Sequence, residues 1–170
     1  AFWGNRIEGE LEYAAGVENN MTKLRQEDAF LGQVTDQVSL TLARNEYDGA
    51  QVVLIPLTKD LKDVRFVVND LESPAGKRIS AKQVRVRPVG YVDVNPIDGV
   101  ARRPRKPGGL WPDALMELET FNCEKEKLQP VWIDVFASED QPSGIYQGNI
   151  RILPATSHPL NLSLKVRIWD

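Results

Sequence analysis

Leu160-Asn161-Leu162-Ser163-Leu164-Lys165-Val166-Arg167-Ile168 decides the fold class. Apolar residues at every second position, separated by polar or charged ones, give a strand with one face in a core and the other in water. A second stretch, Val131-Trp132-Ile133-Asp134-Val135-Phe136, alternates as well, but its intervening positions include Trp132 and Phe136. Apolar side chains on both faces predict a strand central in its sheet, with something covering Trp132. Working outward, strands are expected near Val38 to Leu42, Gln51 to Leu57, Val64 to Val68, Val84 to Val94 and Tyr146 to Leu153, each bounded by Gly, Pro, Asn or Asp. The pattern predicts an all-β protein, a jelly-roll-like β-sandwich of about seven to nine antiparallel strands with long loops. Pro88-Val89-Gly90 breaks the phase of its strand and predicts a bulge or an edge, with Tyr91 turned in an unusual direction. Asp140-Gln141-Pro142-Ser143-Gly144 has turn chemistry and predicts a hairpin between the strands on either side.

The chain has 170 residues, enough to bury a core without disulfides. Its 21 Lys and Arg against 24 Asp and Glu leave a net charge of −3, so no global positive field draws it to nucleic acid or anionic lipid. No apolar run approaches the ~18 residues of a membrane span. The lone Cys123 cannot form an internal disulfide. The lone His158, beside Pro159, excludes a His-rich metal site and leaves a Ser/His/Asp arrangement hard to place. Residues 1–36 are more polar and less periodic, with a short helix expected over Glu8 to Ala15 and a loop at Asn19-Asn20. They read as an irregular N-terminal segment against a sandwich of residues 37–170. Residues 95–130 form a second irregular stretch.

Five blocks fall in an order known from one family. Leu42-Ala43-Arg44-Asn45-Glu46-Tyr47-Asp48-Gly49-Ala50-Gln51, Val89-Gly90-Tyr91-Val92, Gly109-Leu110-Trp111-Pro112-Asp113-Ala114-Leu115, Pro130-Val131-Trp132-Ile133-Asp134-Val135 and Ser143-Gly144-Ile145-Tyr146-Gln147-Gly148 together resemble the N-terminal β-sandwich domain of glycoside hydrolase family 123 and its DUF4091-type relatives. The resemblance implies a parent in which the sandwich precedes a (β/α)8 barrel that hydrolyses terminal β-linked N-acetylgalactosamine, with the substrate's acetamido group as internal nucleophile. A barrel of typically ~250 residues does not fit in this chain. It is expected after Asp170, and the family's acidic catalytic pair with it. The resemblance therefore implies a non-catalytic accessory domain, secreted or periplasmic and bacterial, whose first partner is its own catalytic barrel.

Trp111 follows Gly108-Gly109 on an expected loop, where its ring can stack on the C–H face of a sugar. With Tyr91, Arg103 and Arg105 it is the candidate carbohydrate-binding platform, glycan being the second candidate partner; the alternative has Trp111 against the sandwich rim or the barrel. Arg102-Arg103-Pro104-Arg105-Lys106 puts four cations in five positions, suited to a sulfated or uronate-bearing glycan or an acidic neighbouring domain, or simply solvated. Trp169 lies on the polar side of the last strand's alternation and, with Asp170, is the candidate inter-domain contact. Arg44-Asn45-Glu46 reads as a corner tied by Arg and Glu hydrogen bonds. Asp93, Asn95 and Asp98 come nearest to a calcium loop but fall short of its full oxygen set, so no metal or cofactor is expected. No P-loop, dinucleotide glycine pattern or HExxH occurs, and the 24 acidic residues read as a solvated surface. The chain is thus expected not to be an enzyme by itself, but an accessory module that contacts glycan or a purely structural one.

Overall fold

The computed structural model describes residues 11–94 and 109–169. Twelve strands run through them: β1 (Tyr13–Asn19), β2 (Gln37–Leu42), β3 (Glu46–Pro56), β4 (Leu61–Val68), β5 (Leu71–Glu72), β6 (Arg78–Ile79), β7 (Val84–Val94), β8 (Gly109–Leu115), β9 (Phe121–Cys123), β10 (Gln129–Ala137), β11 (Gly144–Leu153) and β12 (Leu160–Ile168). They form two sheets, one in the order β1-β3-β10-β7-β8 and one in the order β2-β12-β11-β4-β9, with β5 and β6 beside β11. The chain is an all-β sandwich. Every neighbouring pair is antiparallel except β2 and β12, which run parallel from Gln37 beside Ser163 to Leu42 beside Ile168.

The core follows the period-two reading. Leu162, Leu164, Val166 and Ile168 of β12 face Val52, Leu54, Val131, Ile133 and Val135 of the other sheet in one buried cluster, and Leu160 sits at its margin. β10 is central, flanked by β3 and β7, as its two apolar faces predict. The expected irregularity at Pro88-Val89-Gly90 is a register shift between Val89 and Tyr91 in the pairing of β7 with β8. There β7 changes partners: Val84 to Pro88 pair with β10, whereas Val89 to Val94 pair with β8. A two-stranded ribbon thus extends beyond the sheet.

Three expectations are corrected. The helix over Glu8 to Ala15 is, from Tyr13 onward, strand β1, paired with β3 from Tyr13↔Pro56 to Asn19↔Ala50. Tyr13 and Ala15 alternate into the core, the period-two burial of a strand. A Cβ on Gly16 would lie 2.2 Å from the Phe30 ring, so the glycine lets Phe30 settle on the sheet. Among the described residues the sandwich accordingly begins before residue 37, at Tyr13.

The expected hairpin of β10 and β11 is an arch between sheets. Both edges of β10 are already filled by β3 and β7, so the chain reverses into the opposite sheet and β11 pairs with β12 and β4. The arch is fixed by the Tyr146 hydroxyl donating to the Pro142 carbonyl at 2.7 Å and Gln141 Nε2 donating to Arg78 O at 3.1 Å. The corner from β2 to β3 also crosses between sheets; Asn45 takes a left-handed conformation (φ 57°), and Glu46 accepts a hydrogen bond from the Ala43 N–H at 2.5 Å.

Candidate functional site

The outer face of the five-stranded sheet divides into two halves. Over one, the segment after β1 lies back on the sheet: Leu24 and Phe30 pack with Val53, Leu128 and Ile55 in a second apolar cluster. Gln51, buried, anchors that segment by donating from Nε2 to the carbonyls of Asn19 and Thr22, each at 2.8 Å. Over the other half the register itself assembles a polar and aromatic group. Tyr47 lies opposite Phe136, Gly49 opposite Asp134, and Gln51 opposite Trp132; on the other side of β10, Arg85 lies opposite Asp134 and Arg87 opposite Trp132. Directly paired residues share a face, so these side chains meet.

Asp134 is buried and accepts from Arg85 Nε at 2.7 Å and from an Arg87 terminal nitrogen at 2.5 Å. The hydrogen bond to Asp134 raises the Arg85 pKa, strengthening its hold on its proton. The Arg85 guanidinium also lies 4.5 Å from the Tyr47 ring centre, and Tyr47 stacks obliquely on Phe136 at 4.5 Å. Trp132 rests against bare backbone, its indole nitrogen 3.1 Å from the place a Gly49 Cβ would occupy. The result is a shallow cleft of about 230 Å³ lined by Trp132, Tyr47, Arg85, Arg87, Asp134 and Asp48, with Asn20 and Leu115 at its margins. Sequence reasoning saw that Trp132 needs cover but did not find the cleft. The available signal was an aspartate between Trp132 and Phe136 on a strand whose other face is wholly apolar.

The expected Trp111 platform is arranged differently. Trp111 is on β8 rather than on a loop, opposite Val92, whereas Tyr91 is opposite Pro112. The alternation therefore sends the two rings from opposite faces of the ribbon. Arg25 lies over the Trp111 ring, 5.5 Å from its centre, and the half-buried Tyr91 donates its hydroxyl to Leu24 O at 3.1 Å. Burial raises the Tyr91 pKa above the usual phenol range. Arg103, Arg105, Asn95, Asp98 and Asp170 lie outside the described residues. Asp93 is exposed on β7, paired with Leu110. Trp169 is 47% exposed at the opposite end of the sandwich from the ribbon; its N–H donates to Leu42 O at 2.9 Å and Arg167 covers its ring at 3.7 Å.

Two facing sheets with β-arches between them, a projecting ribbon and an open cleft on one outer face define a β-sandwich module. Residues 17–154 match the family model of the glycoside hydrolase 123 N-terminal domain, and the chain belongs to that family. Among solved structures it is similar to a family 123 glycoside hydrolase from Clostridium perfringens, at a TM-score of 0.80 and 14% identity, over 94% of this chain and 27% of that one. The chain thus spans about a quarter of that hydrolase's length. A weaker likeness is to the ASH/PapD-like domain 7 of human CEP192, at a TM-score of 0.48 and 11% identity, over 92% of this chain and 86% of that one. No curated protein matches the chain.

Proposed function

We propose that this chain is a non-catalytic accessory domain that supports the catalytic part of a parent glycoside hydrolase, and that the β7–β8 ribbon is its principal contact. The observation that carries this reading is the exposed apolar row on one face of the ribbon: Val92 and Val94 are 46% and 45% exposed where β7 has left the sheet, with the half-buried Trp111 opposite Val92 on the same face. A two-stranded ribbon gains little stability alone, and burying such a row against a partner gives it a reason to project. Trp169 is proposed as a second contact. Because it lies at the other end, a partner touching both must run along the sandwich, whose eleven-residue strand β7 spans roughly 33 Å.

Following the family resemblance, the parent is read as a bacterial, exported, β-N-acetylgalactosaminidase-like hydrolase. The Clostridium hydrolase is linked to glycolipid glycan hydrolysis, in keeping with a glycoconjugate substrate for the parent. Purely structural support is preferred to sugar binding at Trp111, since Arg25 occupies that ring.

The test is made in the parent polypeptide. Val92→Asp with Val94→Asp is expected to split one calorimetric transition into two and lower the apparent Tm of the catalytic part, while the sandwich keeps its own. A single unchanged transition overturns the ribbon as contact.

A further inference from the structure

We infer that the cleft over β10 is a binding site for one neutral pyranose unit, stacked on Trp132 and hydrogen-bonded by Arg85 and Asn20. The ribbon residues Val92 and Val94 do not line it, so the inference stands apart from the docking role proposed above. Size argues for a single unit: about 230 Å³ is smaller than the usual pocket for a drug-sized ligand and too small for a folded segment of another protein.

Charge argues for a neutral ligand. Two guanidinium groups, Arg85 and Arg87, are balanced by two carboxylates, Asp134 and, 3.9 Å from Arg87, Glu117, so no net field favours a uronate, sulfate or phosphate. The aromatic floor argues for a sugar. Trp132 is half-buried and held in place by its backing of bare Gly49 backbone, and an indole beside fixed donors and acceptors suits a pyranose ring, apolar on its C–H face and polar at its rim.

The hydrogen-bonding groups have capacity to spare. Arg85 gives Nε to Asp134, while neither of its terminal nitrogens has a hydrogen-bond partner among the described residues. The Asn20 side chain has none either. Asp134 anchors both arginines from beneath and acts as a positioning residue: it fixes the Arg85 guanidinium, through Nε, at the cleft.

The experiment is an NMR titration of the 170-residue chain, following its four tryptophan indole N–H resonances. The probes are the methyl β-glycosides of galactose, glucose, N-acetylgalactosamine and N-acetylglucosamine, with methyl β-glucuronide as the charged control. The resonance missing from Trp132→Ala identifies Trp132. At least one neutral glycoside is expected to shift that resonance saturably, with the glucuronide weaker. Trp132→Ala is expected to weaken binding by about tenfold or more. Should that variant fail to fold, Asn20→Ala, which leaves the sheet interior intact, is expected to weaken binding by about fivefold. No saturable shift with any neutral glycoside, shifts confined to another tryptophan, binding unchanged in Asn20→Ala, or a preference for the glucuronide each overturns the assignment.

Discussion

Removing the Asp134 carboxylate is expected to destabilise the sandwich by about 3 kcal/mol, most of it through one arginine. The Asp134 side chain is 5% exposed and its partners differ: Arg87 is 16% exposed, Arg85 47%. In Asp134→Ala the half-exposed Arg85 turns to water, at a loss of roughly 0–1 kcal/mol. Arg87 has no such exit. Its Nε is already buried without a partner, and its remaining carboxylate neighbour, on Glu117, stands 3.9 Å away and is 79% exposed. Leaving that cation desolvated costs about 2–3 kcal/mol. For a chain of this length the sum corresponds to a fall in Tm of about 6–12 °C, and in urea, with m near ~2 kcal/mol/M, to a midpoint lower by about 1.5 M. Equilibrium urea unfolding followed by tryptophan fluorescence measures it. The decisive control pairs Asp134→Leu with Arg87→Leu. If the stranded cation is the cause, the double variant returns to within about 1 kcal/mol of the parent chain, because two apolar side chains on this strand pair leave no charge buried. A single variant that loses less than about 1 kcal/mol, or a double variant as unstable as the single, refutes the reasoning.

Four further outcomes are expected. Burial pushes the Cys123 thiol up to about 12 from its ordinary 9.0, so the folded chain resists alkylation at pH 8 while the urea-unfolded chain reacts; fast labelling of native protein contradicts the burial. The same shift makes stability fall as pH rises above 9 toward 12, because the unfolded chain releases that proton first, and urea midpoints at pH 8 and pH 10 give the sign. Tyr146→Phe removes the buried hydroxyl that holds the β10 to β11 arch at 2.7 Å, for a loss of about 1–2 kcal/mol by urea titration; an unchanged midpoint shows the arch does not depend on it. Gly49→Ala sets a methyl 2.7 Å from the Ile133 carbonyl and 3.1 Å from the Trp132 indole nitrogen, for a loss of about 1–3 kcal/mol and a shifted tryptophan emission; a spectrum identical to the parent's means Trp132 does not rest on Gly49.

Most of the sandwich was legible because burial imposes a period of two on any strand with one face inside, and β12 and β2 carry that period with hardly a break. The centrality of β10 was legible for the converse reason, side chains needing cover on both faces. Tyr13 to Val17 was not, since two alanines and a glycine give neither hydrophobic contrast nor β-branching, and only the neighbouring β3 makes a strand of them. The arch after β10 defeated local reading because turn residues specify a reversal, not which sheet receives the next strand. The cleft was hidden for a related reason. Arg85 and Arg87 precede Asp134 by some fifty residues, Gly49 is further still, and what unites them is cross-strand register, a property of pairs that no single segment contains.

The parallel pairing of β2 with β12 sets the order in which the molecule can be completed. Chain emerging from the ribosome presents β2 well before the strand beside which it lies, from Ser163 to Ile168, has been made. Until β12 is made, β2 and one edge of β11 therefore wait with open ladders, and the loop that closes them runs from Leu42 to Leu160, a topology that folds slowly. During that interval Val38, Leu40 and Leu42 are exposed on an unpaired strand, a surface suited to joining another nascent chain. Loss of the nine residues of β12 would leave the same condition permanently, so a chain lacking them is expected to yield aggregate rather than a smaller folded domain.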